Sequence, residues 1–170
     1  RYQDLPAEVA HEAKRRFIDS FATAVGAMDA DAFAVARRCA GRVQGNPGAS
    51  LLGGGTSSAE WATFVNGLLI RYLDYNDTYL SKEPAHPSDN VPASFCAAQA
   101  FGASGRELIA AIVIAYEVQC RFCDTSSIRA RGWDHVTYGA YSTACAASRL
   151  MKLDEGKTRH AIGIAGVASA

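Results

Sequence analysis

Two polar stretches of this sequence carry side chains that exchange protons. In the first, Asp74 and Asp77 stand three residues apart at the end of a predicted helix, and His86 follows directly before Pro87. The helix dipole disfavours carboxylates at a helix C-terminus, so this placement suggests a use other than stability. Histidine is the side chain best suited to exchange protons near neutral pH, and a neighbouring carboxylate would orient its ring. The alternative is that these residues form turns and caps of an ordinary loop.

The second stretch combines an aromatic ring, two cations and another histidine: Arg129, Arg131, Trp133, Asp134 and His135. These residues would suit an anion pocket, or equally a surface loop pinned by its tryptophan. Taken together, the two stretches offer acid–base groups at Asp74, Asp77, His86 and His135. Such a set would serve proton abstraction next to a carboxylate, which needs a base, an acid for the leaving group and positive charge for an enolate-like intermediate.

Three other motifs are weak. Cys120 and Cys123 have the spacing of a redox or half-zinc site, but they lie in an apolar helical pattern without a second ligand pair, which favours a structural role. The glycines at 53–55 lack the Lys-Ser/Thr of a phosphate loop and predict a turn. His86 with Asp74, Asp77, Asp89 and His135 lacks the fixed spacing of a metal site, so we expect no metal.

Composition and charge exclude several classes of protein. The chain has 170 residues with 17 basic and 17 acidic side chains, which leaves no electrostatic footprint for nucleic acid or for an anionic membrane. Its longest apolar run, residues 108–116, is about half of what a membrane-spanning helix needs. The five cysteines are an odd number in apolar or helical surroundings, which is typical of reduced thiols. We therefore expect a cytoplasmic protein without a signal peptide.

The elements that must position the two stretches are predicted to be helices. Alanine, the best helix former, makes up nearly a fifth of the chain and predicts an all-α, tightly packed bundle. Caps are predicted at Asp4, ahead of Pro6, and in the capping boxes that begin at Ser57 and Ser104. Apolar periodicity predicts helices over residues 7–28, 31–43, 57–73, 92–101, 106–123, 138–151 and 154–168, with one short strand at 49–52. Residues 74–90 and 124–136 are then long loops, which in compact domains are usually functional or disordered.

Four motifs, in this order and at compatible spacing, make the chain resemble the MmgE/PrpD family over essentially all its length. They are LDYNDT at 73–78, HPSDN at 86–90, YEVQ at 116–119 and GWDHVT at 132–137. The alanine-rich helix after His135 and the segment AIGIAG at 161–166 fit the family as well. Members act on small polycarboxylates by elimination, hydration, decarboxylation or epimerisation, without an iron–sulfur cluster.

The resemblance implies active-site roles for Asp74, His86 and His135. The HPSDN form resembles the dehydratase branch more than the cis-aconitate decarboxylase branch. It therefore implies a cofactor-free hydro-lyase of the 2-methylcitrate dehydratase type, which acts in propionate catabolism on a small tricarboxylate. We assign substrate binding to four further residues of the same motifs and loops: Asp77, Ser88, Asn90 and Arg131.

The resemblance also implies that residues 1–170 form a single helical domain of a longer, homodimeric protein. A smaller α+β domain would follow residue 170 and would supply the lysines and the tyrosine that complete the site. A final helix that reaches the last residue without a stop signal agrees with this expectation. Two alternatives stay open: a decarboxylase or epimerase that uses the same site, and a helical interaction module without catalytic activity.

Overall fold

The computed structural model describes residues 1–168, which fold as a bundle of seven α-helices with one small hairpin. This confirms the all-α prediction. The elements are α1 (Ala7–Gly26), α2 (Asp31–Ala40), β1 (Gly48–Ser50), β2 (Thr56–Ser58), α3 (Ala59–Tyr72), α4 (Val91–Ala100), α5 (Gly105–Thr125), α6 (Thr137–Leu150) and α7 (Glu155–Ala168). The predicted continuation of the last helix to the end of the chain concerns residues 169–170, which lie outside the described residues.

Small side chains make up much of the bundle core. One cluster joins α1–α4 and is built around Val65, Leu69 and Val91, each fully buried together with many alanines. A second cluster joins α4, α5 and α6 through residues such as Ala111 and Ala146. Because alanine lets helix backbones approach closely and loses no side-chain entropy, the composition and the packing agree.

Two predicted helix caps are wrong, and one is confirmed. Asp4 does not cap α1, because its carboxylate accepts from the Arg1 guanidinium in a separate 3-10 turn and Pro6 occupies the N-cap position. Ser57 does not open α3 either: its hydroxyl donates to the carbonyl of Ala40, and Ser58 takes the cap. The capping box of Ser104 and Glu107 forms as predicted.

The hairpin explains the failure at Ser57. The sequence predicts one strand at 49–52, whereas β1 and β2 pair antiparallel with Ala49 opposite Ser57. The glycines at 53–55 form the turn, with positive φ values between 85° and 103° that a side-chain-bearing residue rarely adopts. Ser57 is therefore held in a strand by a pairing that local helix signals do not reveal.

The five cysteines are free thiols, as expected. Cys120 and Cys123 lie in α5, and burial is the main cause that raises the pKa of Cys120 to about 12 and that of Cys123 to about 11. Both therefore stay protonated at neutral pH, where a thiol is a weak nucleophile. Within residues 1–168, no helix has the length and apolar character needed to cross a membrane.

The two polar stretches are loops at the same end of the bundle. The first loop (residues 74–90) joins α3 to α4 and ends in the 3-10 helix Pro87–Asn90, while the second loop (residues 126–136) joins α5 to α6. Tyr79 of the first loop donates its hydroxyl proton to Asp124 at the end of α5, which places the loops side by side. A small cluster of Ala85, Cys123 and Tyr138 lies buried beneath them.

Candidate active site

His86 is held in one tautomer by the backbone of its own loop. Its Nδ1 lies 2.7 Å from the carbonyl oxygen of Asp77. A carbonyl oxygen only accepts, so Nδ1 carries the hydrogen and the neutral ring presents the lone pair of Nε2. The ring is half-buried, and the backbone before Pro87 has φ of −116° and ψ of 88°, which is outside the helical region but not the fully extended conformation that we expected.

Asp77 organises the loop around His86 with both of its carboxylate oxygens. Oδ1 accepts from the backbone N–H of Ser88 at 2.9 Å, and Oδ2 accepts from the Tyr116 hydroxyl at 2.8 Å. Burial, with the Asp77 charge added to it, raises the pKa of Tyr116 well above its ordinary value, so the phenol stays a donor. Asp77 therefore ties the first loop to α5.

His135 faces His86 from the second loop. The two ring centroids are 5.8 Å apart, with the ring planes at 66°. Nδ1 of His135 lies 3.0 Å from Oδ1 of Asp134, so Nδ1 donates to that carboxylate and Nε2 carries the lone pair. This Nε2 is buried and has no hydrogen-bond partner within residues 1–168. Both histidines thus present the same nitrogen as the proton-exchanging atom.

Asp74 and Arg71 form a charged arm at the end of α3. Asp74 adopts the left-handed conformation with φ of 51°, which is uncommon for a residue with a side chain. Its exposed carboxylate binds the Arg71 guanidinium, and this hydrogen bond holds the pKa of Asp74 below its ordinary value. Arg71 also donates to the Asn76 side chain at 3.0 Å and lies 3.6 Å from Asp89. Asp74 thereby orients the Arg71 guanidinium, which lies close to the carboxylates of both Asp74 and Asp89.

Asp89 is a site residue to which the sequence analysis gave no catalytic or binding role. Burial raises its pKa above the ordinary value, although the charges of Arg71, His86 and His135 oppose the rise. Its Oδ1 accepts from Asn76 at 3.2 Å. The sequence placed Asp89 inside the HPSDN motif next to His86, but it was considered only as a metal ligand. Its charge interacts with both histidines, so Asp89 belongs to the same cluster of titratable groups.

Ser88 and Asn90 are buried supports of this arrangement. The Ser88 hydroxyl accepts from the Asn76 side chain at 2.9 Å. Asn90 is fully buried; its amide donates to Gln119 and its carbonyl oxygen accepts from Ser142 at 2.7 Å. Their hydrogen bonds thus go to the fold, and their assignment to substrate binding stays a prediction.

The two arginines of the second loop, Arg129 and Arg131, differ in their contacts. Arg129 is paired with the buried Glu83, while Arg131 is exposed at the end of the 3-10 helix Arg129–Arg131. Trp133 is 42% exposed and does not close over the histidines as a buried aromatic would. Arg71, which the sequence presents as an ordinary residue of a helix end, is the cation that contacts Asp74 and Asp89.

The chemistry this arrangement supports is proton transfer by two neighbouring imidazole rings. One neutral imidazole is set to take a proton and the other, once protonated, to give one, with the Asp89 carboxyl beside both. The described residues contain no cluster of three or more His, Cys, Asp or Glu side chains placed to hold a metal ion. A groove of about 540 Å³ between α1 and α5 shares Asp77 and Pro87 with the site, but its described lining includes neither histidine.

Replacing Asp89 with asparagine is expected to raise the free energy of unfolding at pH 7. The native state raises the pKa of Asp89 above its ordinary value of 3.8, so it holds the proton more tightly than the unfolded chain. The stability that this carboxyl contributes is present below the unfolded pKa and is lost as the pH rises through the folded pKa. The increase in the free energy of unfolding caused by Asp89→Asn should therefore be present at pH 7 and vanish below about pH 4.

Urea unfolding of wild type and Asp89→Asn at pH 7 and at low pH measures this difference. Asp29→Asn, which changes an exposed carboxylate between α1 and α2, is the matched control and should shift stability at neither pH. An Asp89→Asn variant less stable than wild type at pH 7 would mean that the site favours the charged form of Asp89.

Comparison with known proteins finds one matching family and several relatives that are named as dehydratases. A family model described as the MmgE/PrpD N-terminal domain matches residues 1–170. The chain is 30% identical over 116 residues to 2-methylcitrate dehydratase of Cupriavidus necator, covering 62% of this chain and 24% of that protein. It is 29% identical over 116 residues to 2-methylcitrate dehydratase of Escherichia coli strain K12, with coverage of 62% and 24%. It is 34% identical over 113 residues to a fungal alkylcitrate dehydratase, with coverage of 58% and 22%. The matched stretch spans about a quarter of the length of these relatives.

Proposed function

The chain belongs to the MmgE/PrpD family, and from this premise we propose that the whole protein is a hydro-lyase that eliminates water from 2-methylcitrate or a close tricarboxylate. The observation that carries the proposal is the opposition of His86 and His135, each with Nδ1 bonded to the protein and Nε2 left to exchange a proton. The similarity to two 2-methylcitrate dehydratases and to an alkylcitrate dehydratase supports the substrate class.

In the proposed reaction, Nε2 of His135 removes the proton next to a carboxylate, which requires the loops to move so that this buried nitrogen meets the substrate. The Asp134 carboxylate balances the positive charge that the His135 ring then gains. Protonated His86 gives its Nε2 proton to the departing hydroxyl, which leaves as water, and the electron pair of the broken C–H bond becomes the new C=C bond. Asp89 lies beside both rings and is placed to reset their protons between turnovers.

The remaining site residues take supporting roles in this proposal. Asp74, held ionised by Arg71, is a poor proton donor and orients that cation toward a substrate carboxylate. Asp77 positions His86, because both of its oxygens are hydrogen-bonded within the fold. Substrate contact by Ser88 and Asn90 would require them to give up bonds within the fold, whereas the exposed Arg131 is free to turn toward a substrate anion.

The described residues supply few cations for a trianionic substrate. Asp74, Asp77, Asp89 and Asp134 lie around the histidines, whereas the guanidinium groups near these carboxylates are those of Arg71 and, next to Asp77, of Arg16. An anionic substrate next to these carboxylates needs additional positive charge. We therefore propose that other parts of the whole protein provide the cations that complete the site.

We further propose that the protein acts as a homodimer in the cytoplasm. Large apolar side chains are exposed on α1 and α3, among them Ile18, Val25, Phe64 and Tyr72, and such faces commonly pair between copies. Free cysteines are typical of a reducing compartment. Sedimentation equilibrium of the full-length protein tests the dimer.

Assays of the full-length protein with 2-methylcitrate and cis-aconitate test the proposed reaction. Loss of water from 2-methylcitrate is expected, whereas release of carbon dioxide or inversion of a centre would favour the decarboxylase or epimerase alternative.

Asp74→Asn should lower kcat about 10–100-fold, because a misplaced charge near the reacting atoms costs that much. Asp19→Asn, which changes an exposed carboxylate on α1, is the control and should leave kcat unchanged. No turnover, together with no rise in Tm on adding citrate-like ligands, would instead support the non-catalytic module.

A further inference from the structure

Glu83 is a fully buried carboxylate inside a loop that is otherwise polar and partly exposed. Its side chain is 0% exposed, although it lies only three residues before His86. Charged side chains are almost never fully buried unless they are paired. The role of Glu83 must therefore be sought in what surrounds its carboxylate.

Every partner of the Glu83 carboxylate comes from the second loop. Oε2 accepts from the Ser127 hydroxyl at 2.6 Å and from the backbone N–H of Arg129 at 3.2 Å. Oε1 lies 2.5 Å from the Arg129 guanidinium. Burial alone would raise the pKa of Glu83, but these donors outweigh it and hold the pKa below its ordinary value. Among the described residues, Oε2 thus has two hydrogen bonds, whereas the buried Oε1 has only the charge of Arg129 to balance it, so the carboxylate is paired only when the two loops are in contact.

Glu83 and the residues before it also bind the end of α5, from which the second loop starts. The N–H of Glu83 donates to the carbonyl of Cys123 at 3.1 Å, at the end of α5. Tyr79 and Ser81 both donate to the Asp124 carboxylate, the latter at 2.6 Å. We call Glu83, Ser127 and Arg129 the Glu83 cluster, because it is the buried part of this contact.

The Glu83 cluster lies close in the chain to both histidines. His86 follows Glu83 by three residues, and the 3-10 helix Arg129–Arg131 leads through its turn directly to His135. The turn is closed by a hydrogen bond from the N–H of Trp133 to the carbonyl of Ile128 at 3.2 Å. A shift of the second loop relative to Glu83 would therefore move the His135 ring relative to His86.

We propose that Glu83 is a positioning residue that keeps His135 opposed to His86 by binding Ser127 and Arg129 of the second loop. An ionised carboxylate without partners is strongly disfavoured in a buried site, so the cluster permits only the loop arrangement that satisfies it. The expected effect of Glu83 on turnover rests on the proposed dehydratase function. The contact between the two loops does not depend on that function.

The test compares Glu83→Gln with wild type in the full-length protein. Glutamine keeps the shape and an acceptor for Ser127, but it removes the charge that pairs with Arg129. We expect kcat with 2-methylcitrate to fall at least 10-fold while KM changes less than 3-fold, because the rings are misplaced but the substrate contacts remain. We also expect faster tryptic cleavage after Arg131, which lies in the exposed part of the second loop.

Glu155→Gln is the matched control, since it removes the carboxylate of an exposed Glu–Arg pair with Arg159 on α7. It should leave kcat and the cleavage rate unchanged. Ser127→Ala serves if Glu83→Gln fails to fold, because it deletes a single donor of the Glu83 cluster, and a smaller loss of kcat in the same direction is expected.

Two results would overturn the proposal: a Glu83→Gln enzyme with kcat within 2-fold of wild type, or a second loop equally protected from trypsin in both proteins. If wild type turns over no citrate-like substrate, the proposed function fails. The cleavage rates of wild type and Glu83→Gln then still decide whether Glu83 holds the loop.

Discussion

Replacement of His86 or His135 with alanine is expected to lower kcat of the full-length enzyme by about 10²–10⁴-fold, the contribution of a positioned acid or base. Each ring is fixed through Nδ1, His86 by the Asp77 carbonyl and His135 by Asp134, so Nε2 alone is left to exchange protons. KM should change little, because alanine removes a group that acts mainly in the transition state. Steady-state kinetics with 2-methylcitrate measure both constants.

The chain contains its own controls for this experiment. His11 and His160 lie exposed on α1 and α7, away from the two loops, and their alanine variants should retain kcat within about 2-fold, as expected for substitutions outside the site. A variant of His86 or His135 that kept turnover within a few-fold of wild type would remove that histidine from the proposed reaction. The pair would then be a structural contact between loops.

Asn90→Ala is expected to destabilise the protein by about 2–4 kcal/mol, the largest stability effect among the motif residues. Asn90 is fully buried and connects three elements. Its amide donates to the Pro87 carbonyl at 2.9 Å and to Gln119, and its carbonyl oxygen accepts from Ser142 and from Thr143. Alanine would leave the buried Gln119 oxygen without its donor and open a small cavity.

Urea unfolding at neutral pH measures the loss, and Gln44→Ala provides the control. Gln44 is an exposed amide in the turn before β1, and its replacement should change the free energy of unfolding by less than about 0.5 kcal/mol. Ser142→Ala should fall between the two, since it removes one partner of Asn90. An Asn90→Ala protein as stable as wild type would show that the hydrogen bonds around Asn90 are replaced after substitution.

Local signals in the sequence predict the helices well but fail where a distant segment intervenes. The box of Ser104 and Glu107 is completed within one helical turn, so the pattern alone suffices. Ser57 carries the same pattern, yet Ala49 pairs with it and draws it into a strand. Because strand pairing depends on residues outside the window of a cap, no local pattern reveals it.

In the candidate site, too, some residues are recognisable from the sequence and others only from tertiary contacts. The types and the motif positions of Asp74, His86 and His135 are visible in the sequence, since acid–base chemistry requires those side chains. Arg71, Glu83 and Asp89 are not distinguished there, because an arginine at a helix end and carboxylates in a polar loop are usually solvated. Only burial and contact separate them from the ordinary charged residues of this chain.

The sequence by itself determined the all-α class, the presence of two polar loops and the kinds of groups that they carry. Composition, apolar periodicity and helix caps depend on residues that are close in the chain, so they can be read from the sequence alone. The tertiary structure alone decided that the two loops meet, which places His135 against His86 and buries Glu83 against Arg129. Distance, desolvation and tautomer all depend on neighbours that are remote in the chain, and these are the quantities that set how a proton can move.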